Sequence, residues 1–111
     1  MSKELLNRIG DWDKVLSPLI SDPRFAETRK SIIQYSRDNV VYPESKNVFR
    51  AFELCPLESL KVVIIGQDPY HNGSATGLCF GIRTGDKIPP SLRIIYKELC
   101  SQFDYVPENF D

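Results

Sequence analysis

Residues 62–71 read Val62-Val63-Ile64-Ile65-Gly66-Gln67-Asp68-Pro69-Tyr70-His71. Four successive β-branched residues in so short a run predict a strand buried on both faces, ended by Gly66. A carboxylate, a proline, a phenol and an imidazole then emerge together at the strand's carboxyl end. In open α/β sheets that end is where ligands bind. A strand of this kind belongs at the centre of a parallel sheet, so the stretch predicts an α/β fold. His71 is the single histidine of the chain, which limits the acid–base chemistry available to these residues alone.

Outward from this strand the pattern is mostly helical. Leu5, Leu6, Ile9, Trp12, Val15, Leu16, Leu19 and Ile20 recur at helical spacing, with breaks or bends expected near Gly10 and Pro18. Asp22-Pro23 reads as an N-cap and an N1 proline opening a second helix through Tyr35. Residues 37–46 are polar and loop-like. Asn47 is expected to cap a short helix carrying Val48, Phe49, Phe52 and Leu54, stopped by Pro56. Leu78-Cys79-Phe80-Gly81-Ile82 reads as a second short strand. Beyond the stiff Ile88-Pro89-Pro90 segment, Ser91 is expected to cap a helix whose apolar face is Leu92, Ile95, Tyr96, Leu99 and Phe103. Two strands are too few to flank a central one, so something beyond these 111 residues is expected to pair its edges.

Bulk properties narrow the field. A chain of 111 residues has room for one domain or part of one. Its 41% apolar and 26% charged content are ordinary for a globular protein. The net charge is −1, so nucleic-acid contact would require a local surface rather than a global field. Cys55, Cys79 and Cys100 are odd in number and widely spaced, which suits reduced thiols in an intracellular protein. Three cysteines and one histidine make an iron–sulfur cluster or a zinc site a poor fit, so no metal or other cofactor is expected. Met1-Ser2-Lys3-Glu4 runs into an amphipathic pattern without the apolar core of a signal peptide. No apolar run approaches membrane-spanning length, and no membrane association is expected.

Asp68 is the leading candidate for chemistry. Pro69 disfavours the α region for it, so its carboxylate sits on extended backbone at the strand's mouth. There it could orient a water, act as a general base or stabilise developing positive charge; the plain alternative is a turn-capping Asp before proline. Tyr70 and Phe80 could wall and stack a planar ligand, or be ordinary core aromatics. Pro89-Pro90-Ser91 offers a hydroxyl and free amides at a helix start, either a phosphate contact or a simple cap. His71 reads most simply as a hydrogen-bonded loop residue. Gly73 and Gly77 permit close backbone approach.

Taken together, these segments closely resemble the family 1 uracil-DNA glycosylases. The resemblance rests on Val62–His71, Gly77-Leu78-Cys79-Phe80, Ile88-Pro89-Pro90-Ser91-Leu92 and Tyr96-Lys97-Glu98-Leu99. Val41-Tyr42-Pro43 and Asn47-Val48-Phe49-Arg50-Ala51-Phe52 look like the segment upstream of the family's first strand. The resemblance implies a three-layer α/β fold, a central parallel sheet flanked by helices, of which residues 1–111 are the amino-terminal half. It implies hydrolytic removal of uracil from DNA in base-excision repair. Asp68 would position the hydrolytic water and stabilise an oxocarbenium-like sugar. Gln67 would contact uracil through its backbone, Tyr70 would sit against C5 and exclude a methyl group, and Phe80 would stack on the flipped base. Pro89, Pro90 and Ser91 would grip DNA phosphate, and His71 would be a supporting residue.

Members of that family run to roughly twice this length, within one domain's usual range. Their second half supplies an asparagine that reads the uracil edge, a histidine that stabilises the leaving uracilate and a leucine that wedges into the duplex. None of these has a counterpart here. The loop from His71 to Gly77 is also a residue short, with Thr76 where a histidine is common. The expectation is therefore a chain of greatly reduced or no activity alone, requiring a complementary polypeptide or self-association. The rival expectation is a non-catalytic module that binds DNA or protein partners. Either way the setting expected is cytoplasmic, or nuclear for a eukaryotic or viral chain.

Overall fold

A computed structural model of the chain describes residues 7–104. Four α-helices are complete within that span: α1 (Asp13–Ile20), α2 (Pro23–Tyr35), α3 (Arg50–Leu54) and α4 (Pro90–Gln102). Three 3-10 turns, at Gly10–Trp12, Ser45–Asn47 and Leu57–Ser59, complete the ordered elements. The start of the first amphipathic pattern, at Leu5 and Leu6, lies outside the described residues. The break expected at Gly10 is present, with φ at +57° and a change from α to 3-10 geometry. Pro18 does not end its helix, which runs on to Ile20.

The amino-terminal part is tied together by side chains reaching over long stretches of sequence. The Asp11 carboxylate accepts from the amide of Leu57 at 2.9 Å and that of Glu58 at 3.0 Å, so it caps the third 3-10 turn. Those amides, the Leu57 contact foremost, hold its carboxyl below the usual carboxylate range. The Trp12 indole donates to the Cys55 carbonyl at 2.7 Å and meets the Phe52 ring edge-on at 5.0 Å. Arg8 pairs with Glu53 and donates to the Lys46 carbonyl. Ile9 is fully buried in this layer.

α2 begins as its sequence predicts. Asp22 accepts from the Arg24 amide at 2.8 Å, and Pro23 takes the first helical position, where a missing N–H is harmless. The Arg24 guanidinium folds back on Asp22 and, with that amide, lowers its carboxyl. Two other caps differ from expectation. α3 starts after Phe49, without a side-chain cap, because Asn47 is occupied at the end of a 3-10 turn. α4 starts after Pro89 with Pro90 at its first position, so Ser91 lies inside the helix rather than capping it. Proline preset to helical φ moves the start one residue earlier.

The expected sheet is not formed. Among the described residues there is no strand, only an isolated antiparallel bridge between Ala75 and Ile82. Residues 61–65 have no regular structure and make no backbone hydrogen bond among the described residues. Val62, Val63, Ile64 and Ile65 are 64–90% exposed, so neither face is covered. Residues 78–82 are not a strand either. The Gly81 amide donates back to Leu78 at 3.1 Å, and Phe80 adopts φ +63°, a left-handed conformation that no strand accommodates. A strand requires a ladder partner, and nothing in these 98 described positions offers one to residues 61–65.

The consequence is an open shape. The radius of gyration is 16.1 Å, against about 13 Å for a compact chain of this length. Among the described residues only Ile9, Ile82 and Leu92 are buried apolar ones, while Ile32, Ile33, Tyr35, Leu54, Ile94 and Phe103 stand largely exposed.

Candidate functional site

The segment after Ile65 folds back beside residues 75–81. The closeness is shown by Gly66, where a Cβ would lie 2.9 Å from the Cys79 sulfur. Behind it, residues 72–86 form a loop held by its own polar groups. The Asn72 side chain accepts from the Ser74 amide at 3.2 Å, and the buried Ser74 hydroxyl donates to Asp86 at 2.7 Å. The Arg83 amide closes onto the Ser74 carbonyl. Arg50, on α3, donates to the Thr76 carbonyl at 3.1 Å. Gly77 sits at φ +87° with the Asn47 carbonyl so near that a Cβ there would lie 2.0 Å from its oxygen. Only glycine fits that position.

These constraints leave a cavity of about 570 Å³. Gln67, Asp68, Tyr70 and Phe80, separated by up to thirteen positions in sequence, line it together, and Ser91 reaches it from α4. Asp68 is exposed and makes no hydrogen bond or ion pair among the described residues. Tyr70 is half-buried, and its hydroxyl is enclosed without a hydrogen-bond partner there. Phe80 reaches the cavity from a left-handed backbone, a conformation costing an aromatic residue about 1–2 kcal/mol. Strain of this kind persists where the surrounding structure imposes it, here between the Leu78 turn and the Ala75–Ile82 bridge.

His71 is placed differently. It is exposed and lines a second hollow of about 540 Å³, between the motif, α2 and residues 40–42. Asp68, Pro69 and Tyr70 form the partition between the two hollows. Pro89 and Pro90 line neither; they set the start of α4 and thereby the position of Ser91. No group of three or more His, Cys, Asp or Glu side chains among the described residues is arranged to hold a metal ion. No helix there is long and apolar enough to cross a membrane.

Chemically, the first cavity offers an unengaged carboxylate at its mouth, an aromatic face and a phenol wall. That combination suits a flat ring stacked on the aromatic face with a carboxylate near its edge. The sequence reading missed Thr76, a residue that lines the cavity and is only 6% exposed, with its hydroxyl enclosed. Its signal was only a departure from the family pattern.

No protein-family model matches the chain. Curated proteins do. Over 110 residues the chain is 41% identical to a uracil-DNA glycosylase of Lactobacillus acidophilus, covering 98% of this chain and 47% of that protein. It is 46% identical over 102 residues to uracil-DNA glycosylase 1 of Listeria innocua, covering 91% and 46% respectively. Against the uracil-DNA glycosylase of Enterococcus faecalis it is 41% identical over 108 residues, covering 96% and 47%. The chain spans about half the length of the curated relatives it matches.

Proposed function

We propose that the chain belongs to the uracil-DNA glycosylase family, of whose curated members it spans about half the length, and that it supplies the water-activating side of that enzyme's site. In this reading it is the amino-terminal half. When the remainder is in place, it hydrolyses the N-glycosidic bond of uracil in DNA. The observation that carries the reading is the gathering of Gln67, Asp68, Tyr70 and Phe80 around one cavity with the Asp68 carboxylate left unengaged.

The chemistry follows from the charges that develop. Breaking the bond between the sugar C1′ and uracil N1 leaves an oxocarbenium-like sugar and a uracilate anion. A carboxylate beside C1′ stabilises the first and orients a water, whose oxygen bonds to C1′ as its proton passes to Asp68. The uracilate leaves with the bond's electron pair and is later protonated. Phe80 stacks on the extruded base, Tyr70 closes the space a 5-methyl group would need, and the Gln67 backbone meets the uracil edge. Ser91, with Pro89 and Pro90 behind it, contacts the DNA phosphate, and His71 supports the motif from the neighbouring hollow. Extrusion of the nucleotide is why a stiff proline-led helix start belongs beside the pocket.

The missing sheet belongs to the same proposal. Residues 62–65 become the central strand of a parallel α/β sheet when the other half of the domain pairs their edges and covers their faces. The bare apolar faces support this, since an uncovered β-branched run is a docking edge. Three widely spaced cysteines, Cys55, Cys79 and Cys100, fit a reducing, cytoplasmic setting.

The test is complementation. The chain is mixed with a polypeptide comprising the part of the Listeria innocua relative that it does not cover, and uracil release from single-stranded uracil-DNA is measured. Activity that needs both pieces and is lost in Asp68→Asn is expected. An inactive mixture in which the two pieces do associate, or an Asp68→Asn mixture as active as the wild type, overturns the glycosylase reading. Self-association of the chain through residues 62–65 in place of the added piece overturns the fold completion.

A further inference from the structure

Arg50 lines neither hollow, yet it is tied to the segment that carries Phe80. Residues 75–82 form a closed rim. The Ala75–Ile82 bridge joins its ends, and the Gly81 amide donates to the Leu78 carbonyl at 3.1 Å. Thr76 packs on Gly81 so tightly that a Cβ there would lie 2.7 Å from Thr76 Oγ1. A unit packed this closely passes a displacement of one end to the other rather than absorbing it. The rim meets the motif at Gly66, where a Cβ would lie 2.9 Å from the Cys79 sulfur. It meets α3 at Arg50, whose guanidinium donates to the Thr76 carbonyl at 3.1 Å across twenty-six positions of sequence. The same side chain presses on Gly77, its Cβ lying 3.2 Å from where a Cβ on that glycine would stand. α3 is held in turn by the amino-terminal layer, through the Trp12–Phe52 ring contact and the Arg8–Glu53 pair. Arg50 is therefore the charged, half-buried link between a layer complete in itself and the rim of the cavity.

We infer that Arg50 is a positioning residue for the proposed reaction: by holding the Thr76 carbonyl it fixes where the Phe80 ring stands against the extruded base. The inference rests on the glycosylase reading and deepens it. Asp68 and Tyr70 belong to the motif, across the cavity from α3's attachment, so losing the Arg50 contact shifts the stacking surface and leaves the carboxylate in place. Stacking is made alike with the bound substrate and in the transition state. Its loss therefore appears in KM and not in kcat.

The experiment measures uracil release from single-stranded uracil-DNA by the complemented assembly, in wild type, Arg50→Met, Arg50→Lys, Phe80→Ala and the Arg50→Met, Phe80→Ala double variant. Arg50→Met keeps the aliphatic stem and removes the donor. It is expected to raise KM about five- to tenfold, part of the worth of one base–aromatic stack, with kcat within about twofold of wild type. Arg50→Lys retains a charged donor and is expected within about twofold of wild type in both constants. On the Phe80→Ala background Arg50→Met is expected to raise KM by less than about twofold, because the ring through which it acts is gone. An unchanged KM in Arg50→Met overturns this inference and leaves the glycosylase reading standing. A kcat that falls at unchanged KM, together with a lower urea midpoint, marks a loss of folded chain and also overturns it. A full further rise in KM on the Phe80→Ala background does the same. A wild-type assembly whose pieces associate and release no uracil overturns both.

Discussion

Asp11 accepts hydrogen bonds from two backbone amides in a layer that closes on itself, whereas Asp68 stands unpartnered at the mouth of a cavity beside an uncovered run of valine and isoleucine. Both carboxylates sit on short, irregular segments of the same chain. The first is satisfied by residues forty-six and forty-seven positions away, and its environment is complete within the described residues. The second shares its cavity with Tyr70 and Thr76, whose hydroxyls have no hydrogen-bond partner among the described residues. A carboxylate that stabilises a fold engages local donors, while one that serves a ligand must remain free until the ligand arrives.

The contrast is most sharply broken at Asp68. Asp68→Asn is expected to lower uracil release by the complemented assembly on the order of 10²–10³-fold, with no change in the urea midpoint of the chain. A midpoint that falls with the activity would make Asp68 structural like Asp11. Next in size is Gly77→Ala, where a Cβ meets the Asn47 carbonyl from a left-handed backbone. It is expected to destabilise the chain by at least about 2 kcal/mol, read by urea unfolding.

Ile64→Lys probes the open side. Ile64 is 64% exposed, so the substitution should change the chain's own stability by less than about 0.5 kcal/mol. It should weaken association with the complementary piece by about tenfold or more, because a charge would enter the new interface. Equal association, measured by sedimentation, would show that residues 62–65 are not the docking strand.

The smallest effect belongs to Asp11. Its folded-state carboxyl is lowered, chiefly by the Leu57 amide, so its stabilising contribution is fully present above the ordinary carboxylate value. The contribution is lost as pH falls through the lowered folded value. The urea midpoint of wild type should therefore drop more steeply through the acidic range than that of Asp11→Asn. Parallel pH curves would separate Asp11 from the closure of the amino-terminal layer.

Local signals were readable where the chemistry is local. Asp22-Pro23 specifies a helix start whatever surrounds it, because the cap and the fixed φ act within three residues. The apolar face of α4 was legible in the same way, with Leu92 buried and Ile95, Tyr96 and Leu99 partly so. The reading went astray where a neighbour decides. Ser91 was expected to cap α4, but Pro90 takes the first helical position. Phe80 reads as a strand residue by propensity, yet a turn closed through Gly81 forces it to positive φ.

By itself the sequence carried the resemblance to a family and the motif that places Asp68, Tyr70 and His71 directly after a β-branched apolar run. Those follow from residue type and spacing. Only the tertiary structure decided that Gln67, Asp68, Tyr70 and Phe80 share one cavity while His71 turns into another. It alone singled out Thr76 as a buried hydroxyl left without a partner. Burial and hydrogen-bond satisfaction depend on which distant segments meet, and the Arg50, Asn47 and Gly81 contacts that fix Thr76 are not encoded in any local pattern.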